Sequence, residues 1–359
     1  MSILKNSFGF SSSYNDEPSL DIPVLEGYDT EVEGHLIDME ESFEDQLAIN
    51  ESLYTLDMLE IGCKQDIKHL QESNQEHLIS ARTEKFEALQ ESAVKDAFGK
   101  IKAAWQKMIA KLKAFFTSLV AKINAMTMDN KKFASKYSHV KGEVKVECYY
   151  YSQDKISQAS ENLAAKVTKV ISDLAEGKTI AEYAKSAGVD KVKERIKYIS
   201  DEKDTILKNF RADLTGHKGD AVSGSDFGKL LFKTMRGGTA VKQERTITAS
   251  DALHYLGGSD ALKGAKAAIK DLPKVLEKQL QGIVTLDKAF KDDQKELKTA
   301  AVSFVSKCTE ISNALRGFCM TYLQYARAAA NEESNLNKQV VVKLAAGSSK
   351  TKKAEGENK

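Results

Sequence analysis

Lysine is the one functional side chain that this sequence gathers in number. Lys95, Lys100, Lys102, Lys107, Lys111 and Lys113 fall on one segment, and Lys131, Lys132 and Lys136 follow in DNKKFASKY. Between residues 92 and 126 a single acid, Asp96, opposes them. Ammonium groups at this density suit nucleic-acid phosphates, bound by counterion release and without base readout. Other chemistries find no constellation. Gly224–Leu230 (GSDFGKL) approaches the phosphate-loop pattern, but its spacing is wrong and Leu230 stands where a magnesium-holding hydroxyl is required. The six histidines never pair with cysteines or carboxylates at metal-ligand spacing. Cys308 lies on an apolar seam and reads as packing. No Ser/His/Asp or Cys/His arrangement can be argued from chain order. These residues indicate a protein that is not an enzyme and needs no cofactor or metal.

A helix must carry the lysines. From Leu89 to Met126, apolar residues fall at Val94, Phe98, Ile101, Trp105, Met108, Leu112, Phe115 and Leu119, in alternating steps of four and three. Ile109 and Phe116 widen that seam into a stripe, which needs a partner surface. The same rhythm returns from Asp271, through Leu276, Leu280, Ile283, Phe290, Leu297, Ala301, Phe304, Cys308, Ile311, Leu315, Phe318, Tyr322 and Tyr325. Asp287 and Gln294 interrupt it, which predicts a bend or an exposed patch. With only three prolines, the expected fold is mainly α: an elongated helical bundle of long amphipathic helices with a few short strands.

The sign of the chain changes near the start of the cationic helix. Residues 1–91 hold 5 Lys/Arg against 21 Asp/Glu, and residues 92–359 hold 48 against 31. The total of +1 hides halves of −16 and +17. An arm of −16 should fold back on the cationic body and repel phosphate, and its removal would leave a polycation. One proteolytic cut would thus reverse the preference for partners.

Four segments follow in order. Residues 1–91 form the acidic arm, with a flexible lead to about residue 35 and helix from Leu36 to Leu89, where Leu47, Tyr54, Met58 and Ile61 keep helical spacing beneath an acidic solvent side. Residues 92–138 are the cationic helix, ending near Met128, and a basic segment capped by Asp129. Residues 139–344 are a mostly helical body. In it HVKGEVKVECYYY alternates as a strand and helices run Gln153–Glu176, Thr179–Ser186 and Val189–Ala212. TGHKGDAVSGSDFG reads as a loop, QERTIT as extended ahead of a Thr248/Asp251 capping box, and QVVVKL as a last extended piece. Residues 345–359 form a Lys/Gly/Ser tail expected to be disordered. The four cysteines keep unrelated spacings, which fits free thiols; no apolar run is long enough to span a bilayer, and no secretory signal is expected.

The tripeptide Leu-Gln-Glu occurs twice before serine, at Leu70–Ser73 and Leu89–Ser92. With the acidic N-terminal region, the lysine-rich helix leading into DNKKFASKY, and a C-terminal half running from RGG through TASDAL to DKAFKDDQKELKTA and QYARAAA, the chain resembles the internal head (inner-capsid, or prohead-core) proteins of large tailed bacteriophages. Prohead proteases of such phages cut after Leu-x-Glu. The resemblance therefore implies a propeptide removed at Glu91–Ser92 (Leu89 three residues upstream of the cut), or as second choice at Glu72–Ser73 (after Leu70). Similar tripeptides at Leu174–Glu176 and Ile180–Glu182 fall in expected helix. It also implies a virion protein that assembles in the host cytoplasm with other capsid or core proteins, meets the prohead protease, and lies beside packaged double-stranded DNA, with self-association through its heptads. Two other readings fit the residues: a membrane-surface role for helix 92–126, and a cytoplasmic helical scaffold whose acidic arm binds a basic partner.

Overall fold

A helix buried on nearly all sides organises the molecule. The computed structural model describes residues 28–149, 162–216, 224–235, 241–258, 263–291 and 294–356. The chain is mainly α, with helices α1 (Tyr28–Glu72), α2 (Ile79–Lys136), α3 (Leu163–Leu174), α4 (Ile180–Ser186), α5 (Val189–Thr215), α6 (Gly224–Met235), α7 (Ala249–Gly258), α8 (Lys263–Leu286) and α9 (Lys295–Gly356). At about 1.5 Å per residue, α2 and α9 each extend for roughly 90 Å, so the bundle is elongated. α9 is its spine and touches each of α1 to α7, while α8 packs on α2, α3 and α4. Ala301, Val302, Phe304, Val305, Cys308, Ile311, Leu315, Cys319 and Leu323 are buried around its circumference, as a helix in the middle of a core requires. The heptad read from the sequence is one face of this.

β1 (Glu143–Cys148) and β2 (Gln243–Thr248) pair antiparallel, from Glu143↔Thr248 to Cys148↔Gln243. They close a smaller apolar cluster of Val140, Ile247, Ala249, Ala252, Val340 and Val341 at the end of α2. Helix starts follow cap chemistry. Thr179 accepts the Glu182 N–H while Glu182 reaches back to the Thr179 N–H, opening α4. Thr248 Oγ1 accepts the Asp251 N–H at 3.0 Å ahead of α7. The buried Ile180 N–H finds its acceptor on another helix, Gln279 Oε1 of α8 at 3.1 Å. The interruption expected at Asp287–Gln294 is a 3₁₀ turn at Asp287–Ala289 between α8 and α9.

Several local expectations are corrected. α2 does not stop near Met128: Asp129 is inside it, paired with Lys338 of α9, and helix continues to Lys136. QVVVKL is helical, because Val340 and Val341 seal the second cluster. The tail does not break off at residue 345, since α9 runs on to Gly356. GSDFGKL belongs to α6, so it is no phosphate-cradling loop. α8 begins at Lys263, ahead of Asp271, and contains Pro273. Helix starts at Tyr28, within the segment read as a lead. The N-terminal 27 residues, the YYY run beyond Tyr149, residues 217–223 and the RGG tripeptide lie outside the described residues.

α4 and α8 approach closely at Gly282, where a Cβ would stand 2.9 Å from the Cβ of Ala181. Alanine in an open helix interior gains about 1 kcal/mol over glycine. Gly282→Ala should instead lower the melting temperature. Gly99→Ala in α2, with nothing within 4 Å of its added Cβ, should raise it; thermal denaturation of the two variants checks this.

Candidate processing site and cationic surface

α1 and α2 form an antiparallel hairpin, and its tip carries the first Leu-Gln-Glu-Ser. α1 ends in a left-handed cap. Asn74 takes φ +51°, the Gln75 N–H bonds the Leu70 carbonyl at 2.9 Å, and the Asn74 N–H bonds the Gln71 carbonyl at 3.2 Å. Asparagine tolerates that conformation better than other non-glycine residues, and the double bond pattern closes the helix. Gln71 through Leu78 are all exposed, and Leu70 is half-buried. The Glu72–Ser73 peptide bond thus lies at a helix end, in the kind of exposed turn where proteases engage a chain.

The second copy is placed differently. Glu91 and Ser92 are exposed but lie inside α2, whose hydrogen-bond ladder runs unbroken from Ile79 to Lys136. Glu91 bonds Lys95 at 2.8 Å, and that bond holds its carboxyl below the usual range. Reaching this bond means opening the middle of a 58-residue helix. Of the two bonds, Glu72–Ser73 is therefore the more accessible, and the charge boundary at Glu91 falls at a point where the helix has no break. Of the two further tripeptides, Ile180–Glu182 is helical as expected. Leu174–Glu176 is not: it leaves α3 through a turn, Glu176 has φ +49°, and Leu174 and Ala175 are buried.

The nine lysines all lie on α2. At about 100° per residue they form two columns: Lys95, Lys102, Lys113 and Lys131, and Lys100, Lys107, Lys111, Lys132 and Lys136. α1 covers part of the second column. Ile49 and Leu56 bury themselves against the apolar stripe, and Asp45 pairs with Lys107 at 3.2 Å. Lys100 donates to Ser52 of α1 at 2.7 Å and pairs with Asp96 at 3.0 Å, while Ser52 donates to Asp96 at 3.0 Å. In the first column Lys113 pairs with Glu277 of α8 at 2.5 Å. Lys111 is half-buried and Lys136 lies over the Tyr137 ring at 5.2 Å. Lys102, Lys131 and Lys132 are exposed without an acidic partner among the described residues. The cationic surface therefore has a part shielded by α1, around Lys100 and Lys107, and an open part made of Lys102 on the other flank and Lys131 and Lys132 at the end of α2.

Two features are not visible in the sequence. The helical spacing of Leu47, Tyr54, Met58 and Ile61 points to a covered face of α1, yet they are 48%, 65%, 49% and 48% exposed. Ile49 and Leu56 on the opposite face fill the core. Near the strands, Glu333 is buried in α9, its Oε1 3.1 Å from Arg245 Nη1 and its Oε2 without a hydrogen-bond partner among the described residues. Burial raises this carboxyl, and Arg245 opposes the rise. Burial also pushes the Tyr255 hydroxyl up to about 12 and raises the thiols of Cys148, Cys308 and Cys319, which are free. No three His, Cys, Asp or Glu side chains converge as metal ligands, and no helix is long and apolar enough to cross a membrane, among the described residues.

No protein-family model, curated protein or solved structure matches this chain. The chain is therefore placed by architecture alone, as an elongated mainly α bundle in which an acidic helix, α1, lies on a cationic one, α2.

A glutamyl-specific protease acting briefly on the folded chain should cut at the hairpin tip, after Glu72 or Glu76, well before it cuts after Glu91; mass spectrometry of the first fragments reads the order. Arg245→Met should cost about 3–5 kcal/mol at pH 8 by stranding the buried Glu333 carboxylate. A carboxyl whose pKa is raised by folding loses stability as pH rises above its ordinary value. The loss should therefore shrink toward pH 5, and Glu333→Gln in the same chain should flatten the pH dependence seen by denaturant unfolding.

Proposed function

We propose that this protein is a structural component of the interior of a tailed-bacteriophage head, made as a precursor whose acidic N-terminal segment is removed by the prohead protease. The mature form associates with packaged double-stranded DNA through backbone phosphates. The observation that carries this reading is the hairpin: an acidic helix lies on lysines of α2 and ends in an exposed Leu-Gln-Glu-Ser turn. We take Glu72–Ser73 as the processed bond. Residues 1–72 hold 3 Lys/Arg against 17 Asp/Glu, so their loss changes the remaining chain to 50 against 35, from a total of +1 to +15. The cut leaves α2 whole and frees Lys100 and Lys107 from Ser52 and Asp45. Once severed, α1 loses the high effective concentration that its tether supplies. The apolar stripe that a membrane-surface role would need is buried in the bundle, which favours the DNA reading over the membrane one.

With a specific protease site placed in the Gln71–Asn74 turn, the purified chain can be compared before and after cutting and separation from α1. Fluorescence anisotropy on random-sequence duplex at 50 mM salt should show binding at least ten-fold tighter after removal, with a steeper decline as salt rises. Equal affinity before and after would overturn the shielding. In purified particles the chain should begin at Ser73 by mass spectrometry; an intact Met1 there would overturn the processing.

A further inference from the structure

A helix that lies on a bundle needs one apolar face, and α1 has two. Leu47, Tyr54, Met58 and Ile61 follow one another by steps of seven, four and three and share an arc of about 60°. The face carrying Ile49 and Leu56 is turned toward the core, and this one toward solvent. Beside the stripe, a groove of about 440 Å³ opens between Glu51 and Thr55 of α1 and Leu89 of α2, itself 45% exposed. Exposed apolar residues in such a row mark an interaction surface.

The charges around the stripe state what fits it. Glu44, Glu51 and Asp57 flank it, exposed and without a cationic partner among the described residues. Burial and the neighbouring Glu60 raise the Asp57 carboxyl, a condition that a cation alongside would relieve. The inner face of the same helix shows the pairing. There an apolar stripe with acids at its side, Asp45 paired to Lys107 at 3.2 Å, seats on a lysine-bearing amphipathic helix. Two copies of α1 laid outer face to outer face would set Glu51 and Asp57 of one against those of the other, which is repulsive.

We propose that the outer face of α1 docks a basic amphipathic helix of another polypeptide, with apolar residues seated along Leu47, Tyr54, Met58 and Ile61 and Lys or Arg side chains against Glu44, Glu51 and Asp57. This stands independently of the proteolytic reading; where the chain is cut at Glu72–Ser73, the docking surface leaves with α1. It is an assembly contact of the uncut protein.

The probe is a fluorescein-labelled peptide of residues 92–126, a basic amphipathic helix whose residues are those α1 already receives on its inner face. Added to the full-length chain, it should bind with micromolar affinity, weakening at least five-fold between 50 and 300 mM salt. The double variant Tyr54→Ser/Ile61→Ser should lower affinity at least ten-fold with an unchanged melting temperature, and Glu51→Lys/Asp57→Lys should do the same. Absence of binding at 100 μM overturns the proposal. So does binding that ignores all four substitutions, which would mean that the peptide displaces α1 from its inner site. A chain that is dimeric by light scattering, and monomeric as Tyr54→Ser/Ile61→Ser, overturns it in favour of a second copy as the occupant.

Discussion

The immersion of α9 in the bundle is the constraint on which the other helices depend. A helix surrounded by protein must find a partner for every polar side chain it carries, because an unpaired buried group costs on the order of 1–3 kcal/mol. α9 meets this for several of its hydroxyls in two ways, while Ser312 Oγ and Glu333 Oε2 are left without a hydrogen-bond partner among the described residues. Its hydroxyls turn back on their own helix, Thr309 donating to the Val305 carbonyl at 2.7 Å and Ser334 to that of Ala330 at 2.9 Å. The same side chains then accept from α2: Trp105 Nε1 donates to Thr309 Oγ1 at 2.8 Å, and Asn130 Nδ2 to Ser334 Oγ at 3.0 Å. These two bonds, far apart along α2, fix the register of the long helices more narrowly than interchangeable apolar contacts would. Since α1 packs on α2, they also fix where the acidic helix lies.

From that register follows the division of the lysines. With the stripe from Val94 to Ile123 turned inward, lysine stems on either side emerge at the flanks of α2, where long cationic side chains can keep their charge in water. One flank meets α1 and the other meets Glu277 of α8. The helix end, past the reach of both, keeps Lys131 and Lys132 open. The exposed pairs contribute little stability singly, about 0–1 kcal/mol each. Their effect is on the potential at the surface: the protein carries a shielded and an unshielded cationic region on one rigid rod.

Long-period signals were legible in the sequence. The stripe on α2, the seam on α9, the strand at Val144–Cys148 and the break at Asp287 follow from side-chain periodicity, and each is present. What failed were decisions that tertiary contact makes. The β-branched run Val340–Val342 reads as strand, but Val340 and Val341 pack against β2 and α7 from within a helix that continues past them. Asp129 is a good cap residue in isolation, yet α2 runs on through it, with Asn130 next to it buried and donating to Ser334 of α9. The charge boundary at Glu91 marks no structural boundary, because net charge is summed over residues while a helix ends where its hydrogen bonds do. Asn74 was the local signal for the real break, a residue suited to the left-handed cap with Ser73 before it. On α1 periodicity found a stripe but not its direction. Leu47–Ile61 is the more regular row, and Ile49 with Leu56 is the one that the bundle covers.

That inversion bears on why the proposed cleavage turn, shield and docking face collect on α1. Among its residues from Glu44 onward, Ile49, Ser52 and Leu56 are buried, whereas α2 buries twelve. A stretch that buries few side chains, as these residues do, opens locally at a lower free energy than the spine it rests on. Its attachment also leans on ion pairs that salt weakens. Its loss would leave the Trp105–Thr309 and Asn130–Ser334 bonds in place, since neither passes through it. The faces of α1 are also separable in effect. A partner on the outer face leaves Lys100 and Lys107 beneath the helix, while severing the turn removes shield and outer face together. In the proposed reading, the part that changes is thus a helix through which neither of those two bonds passes.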